Sequence, residues 1–154
     1  MIDRLRQRSS DEGGFTLIEL LVVILIIGIL AAIAIPTFLN QKSKAYDASA
    51  KELARTAQTT AETYSTDHSG EFKWGANGLA ELKNYETGLP GCPNSNGACL
   101  SSATELESGK GYEIKVIAQS TGDEFIIKRN GSAEVTRECK SSNKGCAGGA
   151  SSSW

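Results

Sequence analysis

The sequence predicts an α+β fold. One long N-terminal helix, apolar in its first half and amphipathic in its second, packs on a C-terminal antiparallel β-sheet of three or four strands. Three observations carry this. From Leu20 to Ile35 no side chain is charged or polar. Between Tyr46 and Tyr64 apolar residues recur at helical spacing. Beyond Gly111 apolar and polar residues alternate with period two between turn sequences.

The apolar stretch runs from Phe15 to Leu39. At about 1.5 Å per residue, such a stretch crosses a hydrocarbon core of ~30 Å. Arg4, Arg6 and Arg8 precede it, which suits a cytoplasmic start. Glu19 is what composition does not explain. A carboxylate at the bilayer centre costs roughly 2.5–3.5 kcal/mol or more, so Glu19 is a functional candidate that needs a partner. The ordinary alternative is that it sits at the membrane edge and reaches into the headgroups. Pro36, inside the helical run, removes a backbone donor and predicts a kink.

In the second half, Tyr46, Ala50, Leu53, Ala57, Ala61 and Tyr64 form one helical stripe, which predicts a face against a sheet. Lys44, Asp47, Lys51, Arg55 and Glu62 fall mostly off it and are expected on a solvated or subunit-facing surface. Asp67-His68-Ser69-Gly70 ends the helix. A helix from Phe15 to about Thr66 serves no small globule, but a bundle of such helices makes a filament core. A short helix is expected over Leu79–Tyr85 and a loop over 88–97. Strands follow at Tyr112–Val116, Glu124–Arg129 and Ala133–Cys139. Thr121-Gly122-Asp123 makes the first turn, and Asn130-Gly131 is expected to form a tight hairpin with positive φ. The Ser/Gly-rich end, 140–154, is expected to be mobile apart from a cysteine staple, with Trp154 either docked or exposed.

Four cysteines, Cys92, Cys99, Cys139 and Cys146, lie beyond the apolar run. An even number in an exported domain suggests two disulfides. The local pairs Cys92–Cys99 and Cys139–Cys146 are favoured, each close in sequence and rich in turn residues. Spacing alone leaves all three pairings open, and four free thiols are the bland alternative. Both gaps are C-x6-C, unlike the C-x2–4-C spacing of zinc sites.

The net charge of −2 is the same with or without residues 1–14, whose charges cancel. It gives no electrostatic footprint for nucleic acid. The only histidine, His68, falls in the helix-end turn. No nucleophile–base pair, phosphate loop or metal cluster is visible, so no catalytic residue, metal or cofactor is expected. Asp123-Glu124 reads as turn chemistry rather than calcium ligation, which needs six to eight oxygens. Asn130-Gly131-Ser132 matches a glycosylation sequon that the hairpin turn explains without a glycan.

Gly14-Phe15-Thr16-Leu17-Ile18-Glu19, followed by the uninterrupted apolar run, resembles the processing site of type IV prepilins and pseudopilins. The strong match covers about 13–46, and the rest matches in layout only. The resemblance implies a leader, residues 1–14, removed by a prepilin peptidase between Gly14 and Phe15. It further implies methylation of the new Phe15 amine, a filament-core helix over 15–39, and a globular unit over 40–154. Glu19 takes the place of the family's glutamate and would neutralise that amine on a neighbouring copy. Gly28 and Pro36 match a helix glycine and a helix proline, where local unwinding would occur in a filament. The implied partners are a homopolymeric helical filament, the peptidase, the pilus assembly machinery and, before assembly, the membrane. The implied location is the cytoplasmic membrane of a bacterium, then a surface filament serving adhesion or motility. A pseudopilin of a type II secretion or DNA-uptake system is the near alternative. A monomeric membrane-anchored or secreted binding domain is the alternative of a different class. An ordinary secretory signal cut after Ala34, or a plain retained anchor, would leave the Gly14-Phe15 sequence and Glu19 as coincidences.

Overall fold

The computed structural model describes residues 14–93, 97–141, 146 and 151–154. The expected leader, apart from Gly14, and much of the expected mobile end lie outside the described residues. The chain divides into two compact units, Met1–Leu39 and Asn40–Trp154.

Helix α1 spans Leu17–Asp67. In the first unit it has no core to pack on. Every described residue there is exposed except Ala31, which is half-buried. Phe15 is 88% exposed and Leu17 80%. The helix passes through Gly28 and Pro36 without a break in its assignment. At the residue after Pro36, the Thr37 hydroxyl donates to the Ala34 carbonyl at 2.8 Å. α1 is long and apolar enough to cross a membrane.

In the second unit, the rest of α1 packs on an antiparallel meander. Its strands are β1 (Ala98–Leu106), β2 (Gly111–Ala118), β3 (Asp123–Arg129), β4 (Val135–Lys140) and the two-residue β5 (Ser151–Ser152), in sheet order β1-β2-β3-β4-β5. Four fully buried alanines, Ala50, Ala54, Ala57 and Ala61, form the helix face. Their small side chains let the helix backbone lie close to the sheet. Tyr112, Ile114, Val116, Phe125 and Ile127 rise to meet them, all fully buried. The opposite sheet face carries a ladder of ions: Lys128 bridges Glu113 at 3.3 Å and Glu138 at 3.2 Å, and Lys115 meets Glu124 at 3.6 Å. Alternation with period two thus places apolar residues inward and paired charges outward. The short helix α2 (Gly78–Tyr85) buries Leu82.

Several expectations need correction. β1 was not expected. Its sequence, Ala-Cys-Leu-Ser-Ser-Ala-Thr-Glu-Leu, is rich in small residues, and a register shift between Leu100 and Ser102 interrupts its alternation. The loop before it is bonded to it: Leu100 N–H donates to the Pro90 carbonyl at 2.7 Å, and Cys92 N–H donates to the Leu100 carbonyl at 3.1 Å. The tight Asn130-Gly131 hairpin does not form. The Asn130 side-chain oxygen accepts from the N–H groups of Ser132 and Glu134, which draws the loop out to 130–134. The positive φ falls on Ala133, at 63°.

Of the charges beside the helix stripe, Lys44 and Arg55 are exposed as expected, but Asp47 and Glu62 are met by the sheet. Asp47, only 6% exposed, accepts the Thr121 hydroxyl at 2.9 Å. Glu62 accepts the Tyr112 hydroxyl at 2.9 Å and pairs with Arg129 at 3.3 Å. These polar residues flank the alanine face, so the sheet reaches over them and supplies partners. The stripe itself is turned slightly from the expected one. Ala54 is fully buried, while Tyr46 and Leu53 are half-buried.

The chain end is not free. Ser151 and Ser152 pair with Lys140 and Cys139. The Trp154 indole N–H donates to the Glu138 carbonyl at 2.9 Å, and its ring meets Phe125 edge-on at 5.7 Å. Of the two alternatives for Trp154, docking on its own domain is the observed one.

The Asp47 contact has a pH signature. Burial holds the Asp47 carboxyl above the ordinary carboxylate range, and the neighbouring Asp123 pushes it the same way. The Thr121 hydroxyl and Lys51 pull it partly back. Asp123 is itself fully buried, and its Oδ2 has no hydrogen-bond partner. A carboxyl whose folded pKa is raised stabilises most below its unfolded pKa, and that stability is lost as pH rises through the folded value. Asp47→Asn keeps an acceptor for Thr121 and removes a buried charge. It should therefore stabilise the domain by about 1 kcal/mol at neutral pH. The gain should shrink as pH falls through the raised native pKa and vanish below the ordinary aspartate range. Urea midpoints at neutral pH and below that range check this, and an Asn variant less stable at both would refute it.

Candidate processing and assembly site

The residues around Gly14 and Phe15 form the start of α1. Thr16 is the N-cap. Its N–H and its hydroxyl both donate to Glu19 Oε2 at 2.9 Å, and Glu19 N–H donates back to the Thr16 hydroxyl at 3.3 Å. This reciprocal arrangement is a capping box, which satisfies donors that a helix start leaves open. Thr16-x-x-Glu19 is legible as that motif in the sequence, yet Glu19 was read there as a partner for another copy or as a membrane-edge residue, not as a cap. Within one chain its carboxylate is spent on Thr16.

No atom comes within 4 Å of where a side chain on Gly14 or Gly28 would begin. Phe15, Ile18, Glu19, Val22 and Val23 line one exposed groove along the helix. Apart from Glu19, the side chains lining it are apolar, and among the described residues nothing covers it.

The other expected site residues lie in the second unit. Cys92 is bonded to Cys99, with α-carbons 5.0 Å apart, and Cys139 to Cys146, at 5.7 Å. Cys92 is exposed, whereas Cys99, Cys139 and Cys146 are buried. His68 stacks on Tyr64 with ring centroids 3.8 Å apart and hydrogen-bonds the Tyr64 carbonyl, as a helix-end residue. Among the described residues no three His, Cys, Asp or Glu side chains group as metal ligands.

The known proteins that resemble this chain agree with this division. A family profile described as the prokaryotic N-terminal methylation motif matches residues 9–35. The type IV major pilin protein PilE1 of Neisseria gonorrhoeae is 34% identical over 119 residues, 70% of this chain and 66% of that protein. The type IV major pilin protein PilA of Myxococcus xanthus is 43% identical over 61 residues, 40% of this chain and 28% of that protein. The type II secretion system core protein G of Aeromonas hydrophila is 33% identical over 83 residues, 54% of this chain and 57% of that protein. The matched stretches thus span from about a quarter to just under two thirds of these relatives' own lengths. No solved structure is significantly similar to the chain.

A bare apolar helix behind a methylation motif, continued into a disulfide-bonded helix-on-sheet unit, defines a pilin-like structural subunit. These matches support the type IV pilin, or prepilin-type, family for this chain.

Proposed function

We propose that this chain is the structural subunit of a type IV pilus-like filament. It is made as a cytoplasmic-membrane precursor and cut between Gly14 and Phe15 by a prepilin peptidase, which also methylates Phe15. It then polymerises through its N-terminal helix with the help of an assembly machinery. The observation that carries this reading is the apolar surface of α1, exposed from Phe15 onward and lying largely within the matched motif. Such a surface needs a cover, first lipid and then other copies of the same helix. Burial of apolar area drives the second step only when the helix leaves lipid with its neighbours already in place.

Glu19 sets the register in this reading. Removal of residues 1–14 leaves a positive amine on Phe15 in apolar surroundings. The Glu19 carboxylate of an adjacent copy neutralises it, exchanging its Thr16 contacts for a charge pair. Gly28 and Pro36 mark where the helix loosens to fit its neighbours. The chain is a substrate of an enzyme rather than an enzyme, and adhesion or motility is a property of the fibre. The match to a type II secretion core protein favours a second reading, a pseudopilin in a short periplasmic or wall-spanning fibre. Fibre length on cells separates the two.

Mass spectrometry of the N-terminal peptide tests processing. A peptide beginning at N-methylated Phe15 is the expected result. A start near Ile35 means an ordinary secreted domain and overturns the proposal. An intact N-terminus after coexpression with a prepilin peptidase overturns it as well.

A further inference from the structure

The second half of α1 has two flanks beside its alanine face. Lys51, Arg55, Gln58 and Glu62, spaced four, three and four apart, lie along one of them. Thr56, Thr60, Thr63 and Asp67, with the same spacing, lie along the other. The first flank meets β4 and the chain end. There, three cations surround one indole. Lys51 Nζ lies 6.0 Å from the centre of the Trp154 ring, the Arg55 guanidinium 5.7 Å and the Arg137 guanidinium 5.9 Å. Arg137 also donates to Gln58 Oε1 at 3.3 Å, and its Nε is buried without a hydrogen-bond partner. Among the described residues neither Lys51 nor Arg137 has an ion pair, and Arg55 meets only the exposed Glu52, at 3.9 Å.

The second flank meets α2 and has the opposite sign. Tyr85, Glu86 and the threonines line a groove there, and the Tyr85 hydroxyl donates to Asp67 at 3.0 Å. Glu81 acts on the neighbouring Tyr64 through its charge. Asp67, Glu81 and Glu86 likewise have no ion pair among the described residues. On the outer sheet face, by contrast, Lys115 and Lys128 pair with Glu124, Glu113 and Glu138.

We infer that the Lys51–Arg55–Arg137 cluster around Trp154 is a docking site for the Asp67–Glu81–Glu86 flank of a second copy of this chain. The inference rests on the filament reading above and names the lateral contact between globular units within it. Charge complementarity selects the occupant: Lys51 and Arg137 on one flank and Asp67, Glu81 and Glu86 on the other have no ion pair among the described residues, and the two groups are of opposite sign. The two surfaces differ, so the contact is heterologous and repeats from copy to copy instead of closing into a two-fold dimer. The indole holds the three cations together through its ring face until carboxylates arrive. Overall charge argues against nucleic acid as the occupant, since the chain carries a net −2.

Zero-length carbodiimide coupling of purified filaments, followed by peptide mass spectrometry, tests the contact. The reagent joins an amine to a carboxylate only where the two touch. Filaments mixed from light and heavy isotope-labelled subunits should yield inter-chain products joining Lys51 to Asp67, Glu81 or Glu86. Lys51→Arg keeps the charge and removes the amine, so it should form filaments and lose these products. Wild-type filaments in which Lys51 couples to other carboxylates, or to none, overturn this contact and leave the filament reading intact. A processed chain that forms no filaments under assembly conditions overturns both.

Discussion

A chain carrying Glu19→Ala should still be cut after Gly14 but should give about a hundredfold fewer filaments, because a buried unpaired charge costs about 3–5 kcal/mol. In the proposed assembly, that charge is the Phe15 amine, which a neighbour's carboxylate would no longer meet. The structure adds a second consequence. Glu19 closes the capping box with Thr16, so the alanine variant also loses up to about 1 kcal/mol of helix-start stability. Glu19→Gln separates the two effects. It keeps an acceptor for Thr16 N–H and hydroxyl and removes only the charge. If register depends on charge pairing, the glutamine variant should assemble as poorly as the alanine variant. Recovery of filaments in the glutamine variant would assign the role to the cap instead. Filament yield is read from the pelleted, sheared fraction, and processing from the N-terminal peptide. Wild-type yield from Glu19→Ala would refute the pairing.

The two ends of the chain differ in how far their sequence discloses their structure. Around Glu19 the signal is dense: a glycine, an aromatic residue, a capping pair and an uninterrupted apolar run stand in fixed order. Strands β2 and β3 were legible for a similar reason. Tyr112, Ile114 and Val116 alternate with charged residues, and the alternation maps directly onto two faces. β1 was hidden because Ser101, Ser102 and Thr104 carry little hydrophobic contrast, and a shift in register breaks what remains. The Asn130-Gly131 pair misled because its asparagine side chain satisfies two backbone N–H groups and stabilises a wider loop. Asp47 and Glu62 misled more instructively. Helical periodicity sorts residues by angle, yet a flank residue can be solvated or buried according to whether a partner reaches it. Thr121 and Tyr112 are those partners, 74 and 50 residues distant in the chain. No local pattern contains that information. The same applies to Trp154, whose docking depends on Phe125 and on the Glu138 carbonyl.

Replacing Cys139 and Cys146 together by alanine should destabilise the domain more than replacing Cys92 and Cys99, although chain entropy alone treats the two pairs alike. Both bonds join residues seven apart in sequence. A loop of that size is worth about 2.5 kcal/mol in the denatured chain, in either place. What differs is what each bond holds. The segment around Cys92 is also fixed by backbone hydrogen bonds to Leu100, and Cys92 itself is exposed, so much of its native geometry survives without the bond. Cys139 is fully buried on β4 opposite Phe125, and Cys146 is nearly so. Their bond leads the chain back to β5 and Trp154. Without it, the edge-on contact of Trp154 with Phe125, worth about 0.5–1.5 kcal/mol, must be made by a longer untethered segment. Truncation of two buried sulfurs adds a cavity term. A loss of about 4 kcal/mol is expected for the Cys139/Cys146 variant, against about 2.5 kcal/mol for the other. Urea unfolding of the detergent-solubilised chain, followed by tryptophan fluorescence, measures both. The signal should also report Trp154 directly, since its emission should shift towards that of a solvent-exposed indole in the Cys139/Cys146 variant even before unfolding. Equal losses, with no such shift, would mean that β5 and Trp154 are held by their own contacts and that the bond contributes chain entropy alone.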